Sequence, residues 1–148
     1  MSLKATITED MKSAMRAKDA TRLSTIRMLL AAIKQKEVDE RIEVTDSDVV
    51  VIIDKMIKQR RESVAQFAAG GRPELAAAER AEIDLLQAYM PQPLSEGELD
   101  RLIATAIAGA AVSDMSAMGK VMATLKPQIA GRADMAKVSA KVKAKLAG

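Results

Sequence analysis

Histidine and cysteine are both absent from this chain, which removes the commonest general base, the thiolate nucleophile and the best nitrogen and sulfur metal ligands. The side chains left to do chemistry are carboxylates and cations. Glu79 and Glu82 share one predicted helix face, and Glu96, Glu98 and Asp100 crowd the start of another. Acids in a first helical turn complement the helix dipole by about 0.3–1 kcal/mol each, so no catalytic role is needed to explain them. Most hydrolase and transferase mechanisms are disfavoured, and neither a metal nor a cofactor is expected.

The cations are the stronger signal. Lys120, Lys126, Arg132, Lys137, Lys141, Lys143 and Lys145 stand against a single acid, Asp134, in the closing stretch from Lys120 to Gly148. Fifteen Lys/Arg balance fifteen Asp/Glu in residues 1–90, whereas eight face five in 91–148, so the whole +3 excess falls in the second part. A field concentrated on one face can steer a polyanion more effectively than the modest net charge suggests. The bland alternative is a solvated lysine-rich helix surface.

Three other features have plain explanations. Met118-Gly119-Lys120 lacks both the earlier glycine and the Ser/Thr of a phosphate loop, which are Asp114 and Val121 here; Gly119 is expected instead to allow close approach of another helix or of a ligand backbone. Gly70-Gly71 followed by Pro73 reads as a helix stop and a helix start. Lys55, Lys58, Arg60, Arg61 and Arg72 have Asp54, Glu62 and Glu74 among them, which predicts a salt-bridged surface.

The elements that must position these groups are helices. Apolar residues recur at three- and four-residue steps almost throughout, with no alternating stretch that would make a half-buried strand. With 49% hydrophobic and 29% charged residues the chain is globular, and with only Phe67 and Tyr89 aromatic its core must be aliphatic and thioether. Leu3, Ile7, Met11 and Met15 form a first stripe. Asp19 or Thr21 opens a second helix burying Leu23, Ile26, Leu30 and Ile33, and the two helices form a hairpin. Thr45 and Asp46 open a third, with Val49, Ile53, Met56, Ile57, Val64 and Phe67 inward, and a fourth runs from Glu74 to Tyr89.

Pro91 and Pro93 push the residues before them out of the helical region, which marks a linker at 91–94 between a domain of about four helices over 1–90 and a three-helix domain over 95–148. Ser95 with Glu98 is a capping-box pattern for a fifth helix burying Leu99, Leu102, Ile103, Ala106 and Ile107. Ser113, Asp114 or Ser116 starts a sixth, with Met115, Met118, Met122 and Leu125 inward, ended by Pro127 and Gly131. The seventh runs from about Ala133 to Leu146, burying Met135, Val138, Val142 and Leu146. No apolar run approaches the ~20 residues needed to cross a bilayer, and Met1 to Arg16 alternates charge and hydrophobe unlike a signal peptide. A cytoplasmic protein without a membrane partner is expected.

Three stretches taken together carry a resemblance: DKMIKQRRESVAQFAAGG (54–71), RPELAAAERAEIDLLQAYMPQPLSEGEL (72–99), and MGKVMATLKPQIAGRADMAKVSAKVKAKL (118–146). In order and spacing they resemble the YqeY, or GatB/YqeY-like, family over essentially the full chain. The resemblance implies an all-α fold whose smaller C-terminal part is similar to the tail of GatB, the tRNA-dependent amidotransferase subunit. It implies tRNA as a partner, together with components of aminoacyl-tRNA amidotransferases or synthetases. The GatB-tail pattern falls on Met118, Gly119, Lys120, Val121 and Met122, then on Gly131, Arg132, Ala133 and Asp134. Around the Pro127 break and the Ala133-Asp134 entry the sequence departs from that pattern. Lys120 and Arg132 thus become the leading tRNA-binding candidates; Lys126, Lys137 and Lys141 join them by charge and helix position alone.

The favoured expectation is a tRNA-associated accessory module that makes no bonds by itself. The resemblance also carries an enzymatic alternative, a carbon-nitrogen ligase component using glutamine as amido-N-donor. A helical protein-interaction module is the third reading.

Overall fold

The computed structural model describes residues 1–111 and 114–147. They form seven α-helices and a short 3₁₀ turn, with no strand among the described residues. Contacts divide the chain into two compact units, Met1–Met90 and Pro91–Gly148.

In the first unit, Ser2 caps α1 (Leu3–Arg16) by accepting from the Ala5 amide, and Asp19 caps α2 (Ala20–Glu40) by accepting from Arg22. The two helices are antiparallel: Lys4 near the start of α1 lies 2.9 Å from Glu37 near the end of α2. A full capping box, Thr45 with Asp48, opens α3 (Asp46–Ala69), and Pro73 occupies the first turn of α4 (Pro73–Gln87). Left-handed residues close three of these helices: Lys18 (φ 55°), Arg41 (φ 53°) and Gly71 (φ 71°). At Gly71 the Arg72 amide reaches back to the Phe67 carbonyl at 2.8 Å and the Gly71 amide to that of Ala68 at 3.3 Å, the paired bonds that satisfy orphan carbonyls at a helix end.

The core of this unit is Ile7, Ile26, Leu29, Ile33, Val49, Ile53, Met56, Ile57 and Leu86. It differs from the predicted stripes in ways that helical geometry explains. Two turns beyond Ile7 the inward position falls on Ala14, while Met15 is 48% exposed, because 3.6 residues per turn carry the face to position 14. On α2, Leu29 is fully buried and Leu30 only flanks the core, and Val64 and Phe67 on α3 are half-buried.

The second unit contains α5 (Glu96–Ala108), the 3₁₀ turn Met115–Ala117, α6 (Met118–Ile129) and α7 (Met135–Ala147). Of the starts expected for α6, Asp114 accepts from the Ser116 amide at 2.9 Å to cap the 3₁₀ turn, and Ser113 lies outside the described residues. Pro127 does not end α6; it sits inside the last turn, and the helix runs on to Ile129 before Gly131 (φ 71°) reverses the chain. A proline there forfeits one hydrogen bond, and the extension buries Ile129. The buried stripe of α6 is Val121, Leu125 and Ile129, whereas Met118 and Met122 flank it and Met115 is 42% exposed. Leu99, Ile103, Ala106, Val138, Val142 and Leu146 complete this second core.

Candidate functional site

Glu96 opens α5 with its carboxylate between two ammonium groups of α7, those of Lys137 and Lys141, and Lys141 also lies 2.9 Å from Asp100. One helical turn separates the members of each set, so two carboxylates on one helix meet two lysines on the other. Hydrogen bonds from Lys137 and then Lys141 hold the Glu96 carboxyl at about 2. The bonds from Glu96 and Asp100 push the Lys141 ammonium above its ordinary value. Two of the five candidate cations are therefore occupied by acids of their own unit. The matched four-residue spacings of Glu96/Asp100 and Lys137/Lys141 were a signal in the sequence that periodicity and charge counting passed over.

Lys120, Lys126 and Arg132 stand differently: among the described residues none has a carboxylate within 4.0 Å. Lys126 is exposed on α6. Lys120, exposed in the first turn of α6, lines a hollow of about 110 Å³ with Thr124 and Gln128 opposite Leu102, Thr105 and Ala106 of α5. Arg132 lines a second hollow, of about 280 Å³, with Leu94, Glu98, Arg101, Leu102 and Thr105. Leu102 and Thr105 belong to both hollows, so the leading candidates, Lys120 and Arg132, stand at two ends of one groove along α5. Arg132 is also held from behind. Its Nε donates to the Gln92 carbonyl at 2.9 Å, and its own carbonyl accepts from the Leu94 amide at 2.9 Å.

Arg101 is the residue that sequence reasoning missed. It is exposed on α5 and, like Lys120, has no carboxylate within 4.0 Å among the described residues. Glu98, Arg101 and Thr105 repeat at three- and four-residue steps beside the buried stripe Leu99, Ile103 and Ala106, which is the polar shoulder of an amphipathic helix. The groove's one acid, Glu98, is engaged by the α5 cap: Ser95 Oγ donates to its carboxylate at 3.1 Å and accepts from its amide at 3.1 Å. The reciprocal half of the expected capping box, from Glu98 back to the Ser95 amide, is replaced by this hydroxyl bond.

Gly119 packs against no helix: a methyl group built there would meet nothing within 4 Å. The expected helix contact is thus absent, and the glycine lies on the exposed side of α6. The basic cluster around α3 is salt-bridged in part: Lys58 lies 3.0 Å from Asp54 and Arg72 3.0 Å from Glu74, while among the described residues Lys55, Arg61 and Glu62 make no ion pair. The nearly buried Arg60 finds its partner in Glu82 of α4, at 2.9 Å. That pairing gives Glu82 a structural role. Among the described residues no group of three or more metal-binding side chains is found, and no helix is long and apolar enough to cross a membrane.

A further polar group, unforeseen from the sequence, lies in the first unit. Tyr89 donates its phenol hydrogen to Asp10, and Arg22 lies 3.9 Å from the other Asp10 oxygen, beside a hollow of about 340 Å³. Burial first, then the Asp10 carboxylate, pushes the phenol well above its ordinary value. Such a group stays protonated as a donor and ties the end of α4 to α1.

An all-helical chain of two units, the second with unpaired cations along a groove, is the class of protein these features define. Residues 4–146 match the Yqey-like protein family, and the chain belongs to it. Among curated proteins it is similar to the mitochondrial protein named altered inheritance of mitochondria protein 41. It is 46% identical to that of Eremothecium gossypii, over 58% of this chain and 48% of the relative. The Pyrenophora tritici-repentis protein is 35% identical over 79% of this chain and 67% of its own length, and a Saccharomyces cerevisiae one 38% identical over 62% and 50%. The matched stretches therefore span about half to two thirds of these relatives.

Proposed function

We propose that this YqeY-like protein is a tRNA-associated accessory module that offers cations of its second unit to the phosphates of a folded RNA and makes no covalent bond by itself. The observation that carries the reading is the pair Lys120 and Arg132, both without a carboxylate partner among the described residues and both lining hollows that share Leu102 and Thr105. Lys126 adds an exposed charge on the same helix as Lys120. Both aromatic side chains, Phe67 and Tyr89, fall in the first unit, so the second has no ring on which a base could stack. Recognition through backbone and shape suits that composition, as it suits double-helical RNA generally. Amidotransferase or synthetase components are the expected protein company. The reading places the protein in the cytoplasm; the word mitochondrial in the fungal relatives' names is said of those proteins.

The test is binding to unfractionated tRNA across a salt series. With three or four phosphates engaged, log affinity should fall against log salt with a slope of roughly −2 to −4, at about 0.7–0.9 per contact. Lys120→Gln should weaken binding and flatten that slope by nearly one contact, with helicity unchanged. A salt-independent affinity, or no binding at low salt, sinks the proposal.

A further inference from the structure

We infer that the phosphate-binding face is the α5–α6 groove, that Arg101 is an anchor of it beside Arg132, and that Lys137 and Lys141 of α7 take no direct part. The inference rests on the RNA reading above and narrows it to one surface.

Arg101 and Arg132 border the larger hollow, Lys120 the smaller, and Leu102 and Thr105 join the two. A strand lying along this groove meets guanidinium groups at one end and an ammonium at the other. Thr105, Thr124 and Gln128 line the smaller hollow; the Thr124 hydroxyl donates to the Lys120 carbonyl at 3.0 Å and so can only accept from a ribose hydroxyl, while the Gln128 amide can donate to a phosphate oxygen. Three cations face one carboxylate, Glu98, and a serine hydroxyl already holds that carboxylate. Arginine's planar fork binds phosphate oxygens two at a time, so Arg101 adds orientation as well as charge. On α7, Lys137 already serves Glu96, and Lys141 serves both Glu96 and Asp100, so each offers a phosphate a partly neutralised charge and fewer free N–H donors. Charge complementarity thus favours a sugar-phosphate strand in the groove over one laid on Lys137 and Lys141.

The experiment compares the unaltered chain, Arg101→Gln, and the charge-conserving double variant Glu96→Gln/Lys137→Gln, each binding unfractionated tRNA over a salt series, with helicity checked by circular dichroism. Arg101→Gln should lose about five- to tenfold in affinity at low salt and reduce the salt slope by about 0.7–0.9. The double variant should stay within about twofold of the unaltered chain, since it removes one cation and one anion together. Undiminished binding and slope in Arg101→Gln, or an equal loss in the double variant, overturns the groove assignment while leaving tRNA binding in place. No tRNA binding by the unaltered chain instead overturns the RNA reading, and the groove with it. Polyglutamate serves as a second probe: if it binds in an Arg101-dependent way and tRNA does not, the groove receives an acidic protein segment and the inference is wrong.

Discussion

Among the described residues Arg60 is the charged side chain most withdrawn from water, 8% exposed. It lies between the carboxylate of Glu82 and, at 3.9 Å, the sulfur of Met28. Removing one partner of a buried pair leaves an uncompensated charge, which costs about 3–5 kcal/mol when burial is complete. Glu82 keeps 23% of its side chain exposed, so Glu82→Ala should cost less, about 2–3 kcal/mol, read as a lower urea midpoint. Replacing both partners, as Arg60→Met/Glu82→Met, should recover most of the loss, because both desolvation penalties vanish with the charges. Local spacing in the basic cluster around α3 pointed to Asp54 and Glu74 as partners of Lys58 and Arg72, but also to Glu62, which makes no ion pair among the described residues. The partner of Arg60 was not legible, since Glu82 lies 22 residues away and no helical period links them. Arg101 was missed for a similar reason: what sets it apart is the hollow it shares with Arg132, and alone it is one exposed arginine on an amphipathic helix.

Helix ends and helix faces set the next scale. The clasp of Glu96 by Lys137 and Lys141 couples the start of α5 to α7, and it titrates. In the folded chain the Glu96 carboxyl sits at about 2, below its ordinary 4.5. A depressed carboxyl contributes stability that is fully present above about 4.5 and is lost as pH falls toward about 2. Acid unfolding of the second unit should therefore steepen within that window, and Glu96→Gln should flatten the change when urea midpoints are followed against pH. Because the group is exposed, added salt should shrink the effect. At this scale the sequence was a good guide to which segments are helical and a poorer one to which face is buried. On α6 Leu125 is buried as expected, but Val121 and Ile129 join it where Met118 and Met122 were expected, the latter two flanking the core; Ile129 is gained because Pro127 falls in the final turn and the helix runs past it. Lys18 and Arg41 were likewise hidden, since nothing in a lysine or arginine advertises a left-handed backbone.

Over the whole molecule, each unit has a core drawn from its own contiguous stretch of chain. Leu125 is completely buried in the second, so Leu125→Ala should destabilise that unit by about 2–5 kcal/mol. Hydrogen exchange should show the consequence locally: amides from Pro91 onward lose protection while those of Met1–Met90 keep theirs. A uniform loss over both stretches would contradict independent cores. The all-helical architecture was legible from periodicity, and the excess of positive charge beyond residue 90 from counting. Which cations stay free was only half legible: the matched spacings of Glu96/Asp100 and Lys137/Lys141 hint at a pairing, but that Glu96 and Lys141, 45 positions apart, meet is settled by the fold.

The single tyrosine, bonded to Asp10 in the first unit, and the absence of tryptophan have a practical corollary. Nearly all the near-ultraviolet signal of this protein comes from one ring in the amino-terminal half, so the carboxyl-terminal half is optically silent. Events in its groove must be watched through a labelled ligand or an introduced chromophore, and a change in Tyr89 emission on adding RNA would report a message arriving in the other half only once the light absorbed by the RNA itself is corrected for.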